Sequence, residues 1–129
     1  MTMKDQIENA IDKISAIKGV GMEPMYLMLD VLALYSVYSD RFNIVVDEVI
    51  KAIEMIVNNP SLGQQLDFSL SDYKSYHFSS PGQLLKVGEL PEEDMRIAHR
   101  YMKSNKLVEV LGFGHRYLPK VYDEHGNEQ

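Results

Sequence analysis

The chain has 129 residues, of which 45% are hydrophobic and 25% are charged, values typical of one compact globular domain. This composition excludes an intrinsically disordered chain. Nineteen acidic and 13 basic residues give a formal net charge of −6, so the molecule repels nucleic acid and anionic membranes unless a local basic patch reverses the field. The absence of cysteine excludes disulfides, thiolate zinc sites and thiol catalysis, and it is consistent with the cytoplasm.

The N-terminal sequence lacks the basic segment, apolar stretch and small-residue cleavage site of an export signal. The most apolar run, residues 25–35, contains Asp30 and is shorter than the ~20 residues that a membrane span requires. We therefore expect a soluble cytoplasmic protein without membrane contact.

The N-terminal segment has the pattern of an amphipathic helix. Its apolar residues recur at alternating spacings of four and three: Met3, Ile7, Ala10, Ile14 and Ile17. Thr2 is a suitable N-cap with Asp5 three residues later, and Gly19 suits the end of the helix. The same spacing allows a helix to pair with a copy of itself, so we predict a homodimer through these five residues. The alternative is that this face packs on the chain's own core.

Two more helices are predicted before residue 60. Nearly every position from 25 to 38 is apolar, which predicts a central helix contacted on most sides, with Pro24 in its first turn. Asp30 is either a functional acid whose pKa burial raises or a group that faces solvent or bonds a nearby backbone, and we favour the second interpretation. Asn43 is the predicted cap of a third helix that ends before Pro60, and residues 1–60 would form a helical body.

Residues 61–79 are predicted to be a connector. They contain an aromatic cluster of Tyr73, Tyr76 and Phe78, with a short strand expected around 76–78. Aromatic side chains in a connector usually pin it to the core, and this is the interpretation that we favour. A ligand-stacking surface is the alternative.

The C-terminal part has signals for a short helix, a longer helix and a hairpin. Ser80 and Pro81 would open the short helix over 81–87, and Glu92 and Glu93 would lie in the first turn of a helix that stops at Asn105. Strand-like runs at 107–113 and 116–122 flank a two-residue turn at 114–115. The polar residues 123–129 are expected to form a frayed tail.

This order of elements is that of a winged helix-turn-helix. The sequences SPGQLLKVG at 80–88, MKSNKLVE at 102–109, GFG at 112–114 and RYLP at 116–119 resemble the winged-helix core of MarR- or ArsR-like regulators. We therefore predict a single, mainly α-helical domain: a helical body followed by a C-terminal winged helix-turn-helix over 80–122, whose wing is a two-stranded β-hairpin. The resemblance implies a regulator that binds double-stranded DNA.

A helical wheel places apolar and basic residues of the longer helix on opposite arcs. Residues 94–122 carry six positive and two negative charges, in contrast to the acidic remainder. The predicted DNA contacts on this helix and the following hairpin are Arg96, His99, Arg100, Lys103, His115 and Arg116. The acids Glu92, Glu93 and Asp94 would repel DNA at the start of the helix. The alternative is thus an acidic adaptor or inhibitor that binds a protein.

No enzyme motif is present in the sequence. The four histidines are scattered and lack the spacing of metal ligands: His77, His99, His115 and His125. The paired glycines near residues 20 and 113 lack the remaining residues of a phosphate-binding loop. We therefore predict a protein without catalytic activity, cofactor or metal.

Overall fold

A computed structural model describes residues 1–116, which contain three α-helices and a five-stranded sheet. The helices are α1 (Met3–Ser15), α2 (Pro24–Tyr38) and α3 (Phe42–Asn58). The strands are β1 (Val20–Gly21), β2 (Gln64–Gln65), β3 (Lys74–Phe78), β4 (Met95–Met102) and β5 (Leu107–His115). None of the helices in residues 1–116 is long and apolar enough to cross a membrane.

The sheet is mixed, with the strand order β1-β5-β4-β3-β2. The two-residue strand β1 pairs in parallel with β5, and the other neighbours are antiparallel. The long hairpin β4–β5 forms the centre of the sheet, with Met102 opposite Leu107 at one end and Met95 opposite His115 at the other. The helices precede this hairpin in sequence and pack on one face of it.

Helix α1 starts as its sequence predicts, but it ends at Ser15, before the predicted end at Gly19. The Thr2 side chain accepts a hydrogen bond from the Asp5 amide, and the Asp5 carboxylate accepts one from the Thr2 amide, which completes a capping box. Ile7, Ala10 and Ile14 are buried in the core that the helices share with β3, β4 and β5.

Helix α2 is joined to the sheet by a buried carboxylate. Asp30 lies in the core, and its Oδ2 accepts a hydrogen bond from the Phe113 amide of β5 at 3.1 Å. The side chain bonds a neighbouring backbone, and it does not face solvent. This contact fixes α2 across β5, because a buried carboxylate must keep its hydrogen-bond donors.

The opposite face of the sheet is covered in part by the segment before β3. A second cluster on this face consists of Leu66, Leu70, Tyr73, Ala98 and Leu111. Ala98 pairs with Gly112 and His99 with Val110, so Leu111 is the extra residue of a β-bulge. Tyr76 and Phe78 stack on the helix side with ring centroids 5.8 Å apart. The aromatic cluster therefore pins the connector to the core, as predicted, and the predicted strand is the end of β3.

The prediction of a mainly α-helical fold is wrong. The five-stranded mixed sheet makes this an α/β fold, and four of its five strands come from the part of the chain after α3. The predicted longer helix is the strand β4, and the predicted short helix over 81–87 is irregular backbone with two turns. The predicted hairpin turn at 114–115 is also wrong, because β5 continues through Gly114 and the hairpin turns at residues 103–106. The predicted return strand beyond residue 116 and the predicted tail lie outside the described residues.

The error has a physical cause in β4. Met95 and Ile97 alternate with Arg96 and Arg100, so the segment satisfies a period of two residues as well as the helical period. Pairing with β3 on one side and β5 on the other satisfies the backbone of β4. Such long-range pairing overrides a local preference for helix.

Candidate protein-interaction site

The three predicted DNA-binding residues on β4 do not all lie on one face of the sheet. Strand alternation directs Arg96 and Arg100 away from the helices and His99 towards them. His99 is fully buried, its Nε2 lies 2.8 Å from the Leu62 carbonyl oxygen, and burial lowers the pKa of its imidazole. Lys103 is exposed in the turn after β4.

Arg100 is held by groups of its own chain. Its Nε donates a hydrogen bond to Glu109 Oε1 at 2.8 Å, and its guanidinium carbon lies 4.8 Å from the centroid of the Tyr73 ring. Asp72 Oδ2 is 3.9 Å from its Nη1. Burial and the hydrogen bond to Glu109 raise the pKa of Tyr73, so its hydroxyl is a permanent donor in this cluster. These contacts give Arg100 a structural role.

His115 and Arg116 lie at the opposite end of the hairpin from Lys103, a separation of about 26 Å along an extended strand. The His115 ring lies beside Tyr38, with centroids 6.2 Å apart, and Arg116 Nη1 donates to the Glu93 carbonyl oxygen at 3.0 Å. The six residues therefore do not form one basic surface. DNA binding remains a prediction, and the segment that was expected to be its recognition helix is strand β4.

The predicted dimer seam on α1 is largely occupied by the chain itself. Ile7, Ala10 and Ile14 belong to the core, whereas Ile17 is partly buried against it and Met3 is exposed. A second copy reaching this seam would have to displace intrachain contacts.

Four exposed apolar side chains lie close together in sequence in the loop between β3 and β4. Leu84 is 98% exposed, Val87 is fully exposed and Leu90 is 85% exposed, and the neighbouring Leu85 is 45% exposed. We call these four residues the apolar tip. Single exposed apolar residues are common on protein surfaces, but four within seven residues concentrate apolar surface in one loop, which is typical of an interaction site.

The ends of this loop are fastened together by one side chain. Gln83 Nε2 donates to the Glu92 carbonyl oxygen at 2.8 Å, and Gln83 Oε1 accepts from the Glu92 amide at 2.9 Å. The Gln83 amide thereby imitates a backbone partner and closes residues 83–92 into what we call the clamped loop. Within it, the Glu89 amide donates to the Lys86 carbonyl oxygen at 3.0 Å, which forms a turn at Val87 and Gly88.

The clamped loop stands on a buried polar base. Asp94 Oδ1 accepts from the Ser80 amide at 2.8 Å, and Oδ2 accepts from the Ser80 hydroxyl at 2.6 Å and the Tyr38 hydroxyl at 3.0 Å. Arg41 Nη2 donates to Ser80 Oγ at 3.1 Å. These bonds join the loop to the C-terminal end of α2 and the residues that follow it.

The charge on Asp94 is stabilised by these donors. Burial acts to raise the pKa of the Asp94 carboxyl, but the hydrogen bonds from Ser80 and Tyr38 outweigh it and hold the pKa below its usual value. Burial and the bond to Asp94 raise the pKa of Tyr38, so its hydroxyl stays protonated and donates. Asp94, Ser80, Tyr38 and Arg41 thus all take part in hydrogen bonds within the base. We infer that the base anchors the loop.

The rim of the clamped loop is acidic. Glu89, Glu92 and the adjacent Glu93 are exposed, and Lys86 is the one basic residue between 83 and 93. The loop therefore presents apolar side chains surrounded by negative charge. Among residues 1–116 no group of three or more potential ligands is placed to hold a metal ion.

Sequence reasoning missed this loop because its first residues resemble a helix start. Ser80, Pro81 and Gln83 match a helix cap, yet Gln83 bonds to Glu92, nine residues away, and no local pattern shows this bond. Within the predicted helix the one contrary signal was Gly82, because an isolated glycine weakens a helix, whereas Gly88 and Pro91 lie beyond it.

Comparison of the chain with protein-family models, curated proteins and solved structures gives no match, so the functional interpretation depends on the geometry of this molecule.

Proposed function

We propose that the protein is a binding module that inserts its clamped loop into an apolar cleft on another protein. The observation that carries the proposal is the near-complete exposure of Leu84, Val87 and Leu90 in a loop whose two ends are joined by hydrogen bonds. Side chains of this kind lose most water contact only when a partner encloses them, and each then contributes about 1.5–3 kcal/mol.

The clamp supports this function energetically. Ordering a loop on binding costs conformational free energy, and a loop that is already closed avoids part of this cost. The hydrogen bonds of Gln83 and Asp94 hold both ends of the segment in the free protein. The loop is therefore preorganised for docking.

The acidic rim indicates the chemistry of the partner. Glu89, Glu92 and Glu93 would lie at the edge of the contact, so a cleft bordered by lysine or arginine complements the loop. A net charge of −6 would also speed association with such a partner.

The test is a comparison of three tagged proteins as baits in a lysate of the cells that produce the chain. They are the wild type, the loop variant Leu84→Lys/Val87→Lys and the control Met55→Lys, which places one charge on the exposed side of α3. Equal melting temperatures would show that all three are folded. We expect a protein that the wild type and the control retain, that the loop variant loses, and whose retention by the wild type falls with added salt. Equal retention by all three baits would contradict the proposal.

A further inference from the structure

Helix α2 presents an apolar stripe on the side that faces away from the core. Met25, Met28, Leu29, Leu32 and Val37 are each between 41% and 55% exposed. Ala33 and Ser36 complete this stripe, which carries no charged side chain, because the one charged residue of α2, Asp30, is buried. A helix that is apolar all round is normally enclosed on all sides.

The stripe has the spacing of a helix-pairing seam. Met25, Leu29, Leu32 and Ser36 follow one another at intervals of four, three and four residues. The seam extends over about 17 Å along the helix axis. It is therefore suited to a second helix lying along it.

We propose that this second helix is α2 of another copy of the same chain, in an antiparallel pair. The seam has Met25 at its first position and the small residue Ser36 at its last. An antiparallel register that places Leu29 opposite Leu32 of the other copy also places Met25 opposite Ser36. Met25 then meets the small residue Ser36 and each leucine meets a leucine, which is the self-complementarity that a twofold interface requires.

A parallel pair lacks this complementarity. It would place Met25 against Met25 and Ser36 against Ser36, which crowds one end and leaves a void at the other. Because one helix from each copy supplies the seam, we expect an interface near the ~1,000 Å² lower limit of specific contacts, and a dimer that dissociates on dilution.

The register allows a test by charge complementation. Leu29→Lys and Leu32→Glu each place an unpaired charge in the interface, so each variant alone is expected to dimerise at least about 100-fold more weakly than the wild type. A mixture of the two variants brings the introduced lysine opposite the introduced glutamate, with the unchanged leucines opposite each other. The mixture should therefore form a one-to-one heterodimer, and the double variant Leu29→Lys/Leu32→Glu should dimerise by itself.

Sedimentation equilibrium over a concentration series measures these masses, with Met55→Lys as a matched control that keeps the dimer. Both leucines are exposed in the single chain, so circular dichroism melting should show every variant folded. A wild type that stays monomeric up to about 1 mM would overturn the dimer. Single variants that remain monomeric when mixed would overturn the antiparallel register.

Added salt should strengthen this contact by screening the repulsion between two chains of charge −6, in contrast to its expected effect on the loop.

Discussion

Asp94 shows how a single buried charge positions a functional segment. Its two oxygens bind the amide and hydroxyl of Ser80 and the hydroxyl of Tyr38, so one side chain connects β4, the start of the loop and the end of α2. Burying a carboxylate is costly unless donors surround it, and here Ser80 and Tyr38 supply three, with Gln83 Nε2 as a longer fourth at 3.5 Å. The residue that sequence reasoning regarded as an obstacle to DNA binding is the anchor of the loop.

We expect Asp94→Asn to lower the free energy of unfolding by about 1–3 kcal/mol at pH 7, because the amide adds a donor where Ser80 and Tyr38 also donate. The folded-state pKa of Asp94 lies below its ordinary value of 3.8. The stabilisation by this carboxylate is therefore complete above the ordinary pKa and is lost as the pH falls through the folded value.

Urea denaturation between pH 7 and pH 2 measures both effects. The difference between the wild type and Asp94→Asn should be constant at neutral pH and should shrink below about pH 4. Asp40→Asn, at an exposed carboxylate, is the control and should change the unfolding free energy by less than about 0.5 kcal/mol. A difference that stays constant to pH 2 would contradict the role of the Asp94 charge.

At the level of elements, the sequence predicts what is local and misses what depends on pairing. Helices α1 and α3 carry their own apolar periodicity and α2 is a continuous apolar run, so all three form in the expected segments, whereas α1 ends before Gly19 and α3 begins at Phe42 without the predicted Asn43 cap. Strand β4 has a pattern that fits helix and strand alike, and only its neighbours in the sheet decide between them. The clamped loop depends on a bond between residues nine positions apart, which periodicity does not reveal.

The edge strand β2 depends on a glycine that precedes it. Gly63 has φ +101°, and a Cβ atom there would lie 2.7 Å from the Ser75 carbonyl oxygen, whereas Gly88, at φ +82°, has open space around it. Both Gly→Ala variants carry the conformational penalty of positive φ, roughly 1–2 kcal/mol, but Gly63→Ala must also displace the backbone of β3. We expect Gly63→Ala to be the more destabilising by at least about 1 kcal/mol in thermal or urea denaturation. Equal losses for the two variants would show that the close approach to Ser75 does not exist.

At the scale of the whole molecule, the helices and sheet form a core, and residues 1–116 present apolar surfaces outside it, two of which we propose as contact sites. One is the apolar tip, which is surrounded by glutamates, and the other is the uncharged stripe of α2. Their different electrostatic surroundings give opposite expected salt dependences, so binding through the loop and pairing through α2 can be separated in one set of buffers. We infer a molecule that pairs with itself through a helix and presents its loops to a partner.

The most direct test of the central claim is site-specific photocrosslinking in cells that produce the chain. A benzophenone amino acid replaces Val87 in the apolar tip or, as the control, Met55 on α3, and both positions are exposed in the free protein. After irradiation, denaturing electrophoresis should show a covalent adduct with another protein from position 87 and none from position 55. Adducts from neither position, or the same adducts from both, would contradict the assignment of the clamped loop as the partner-binding site.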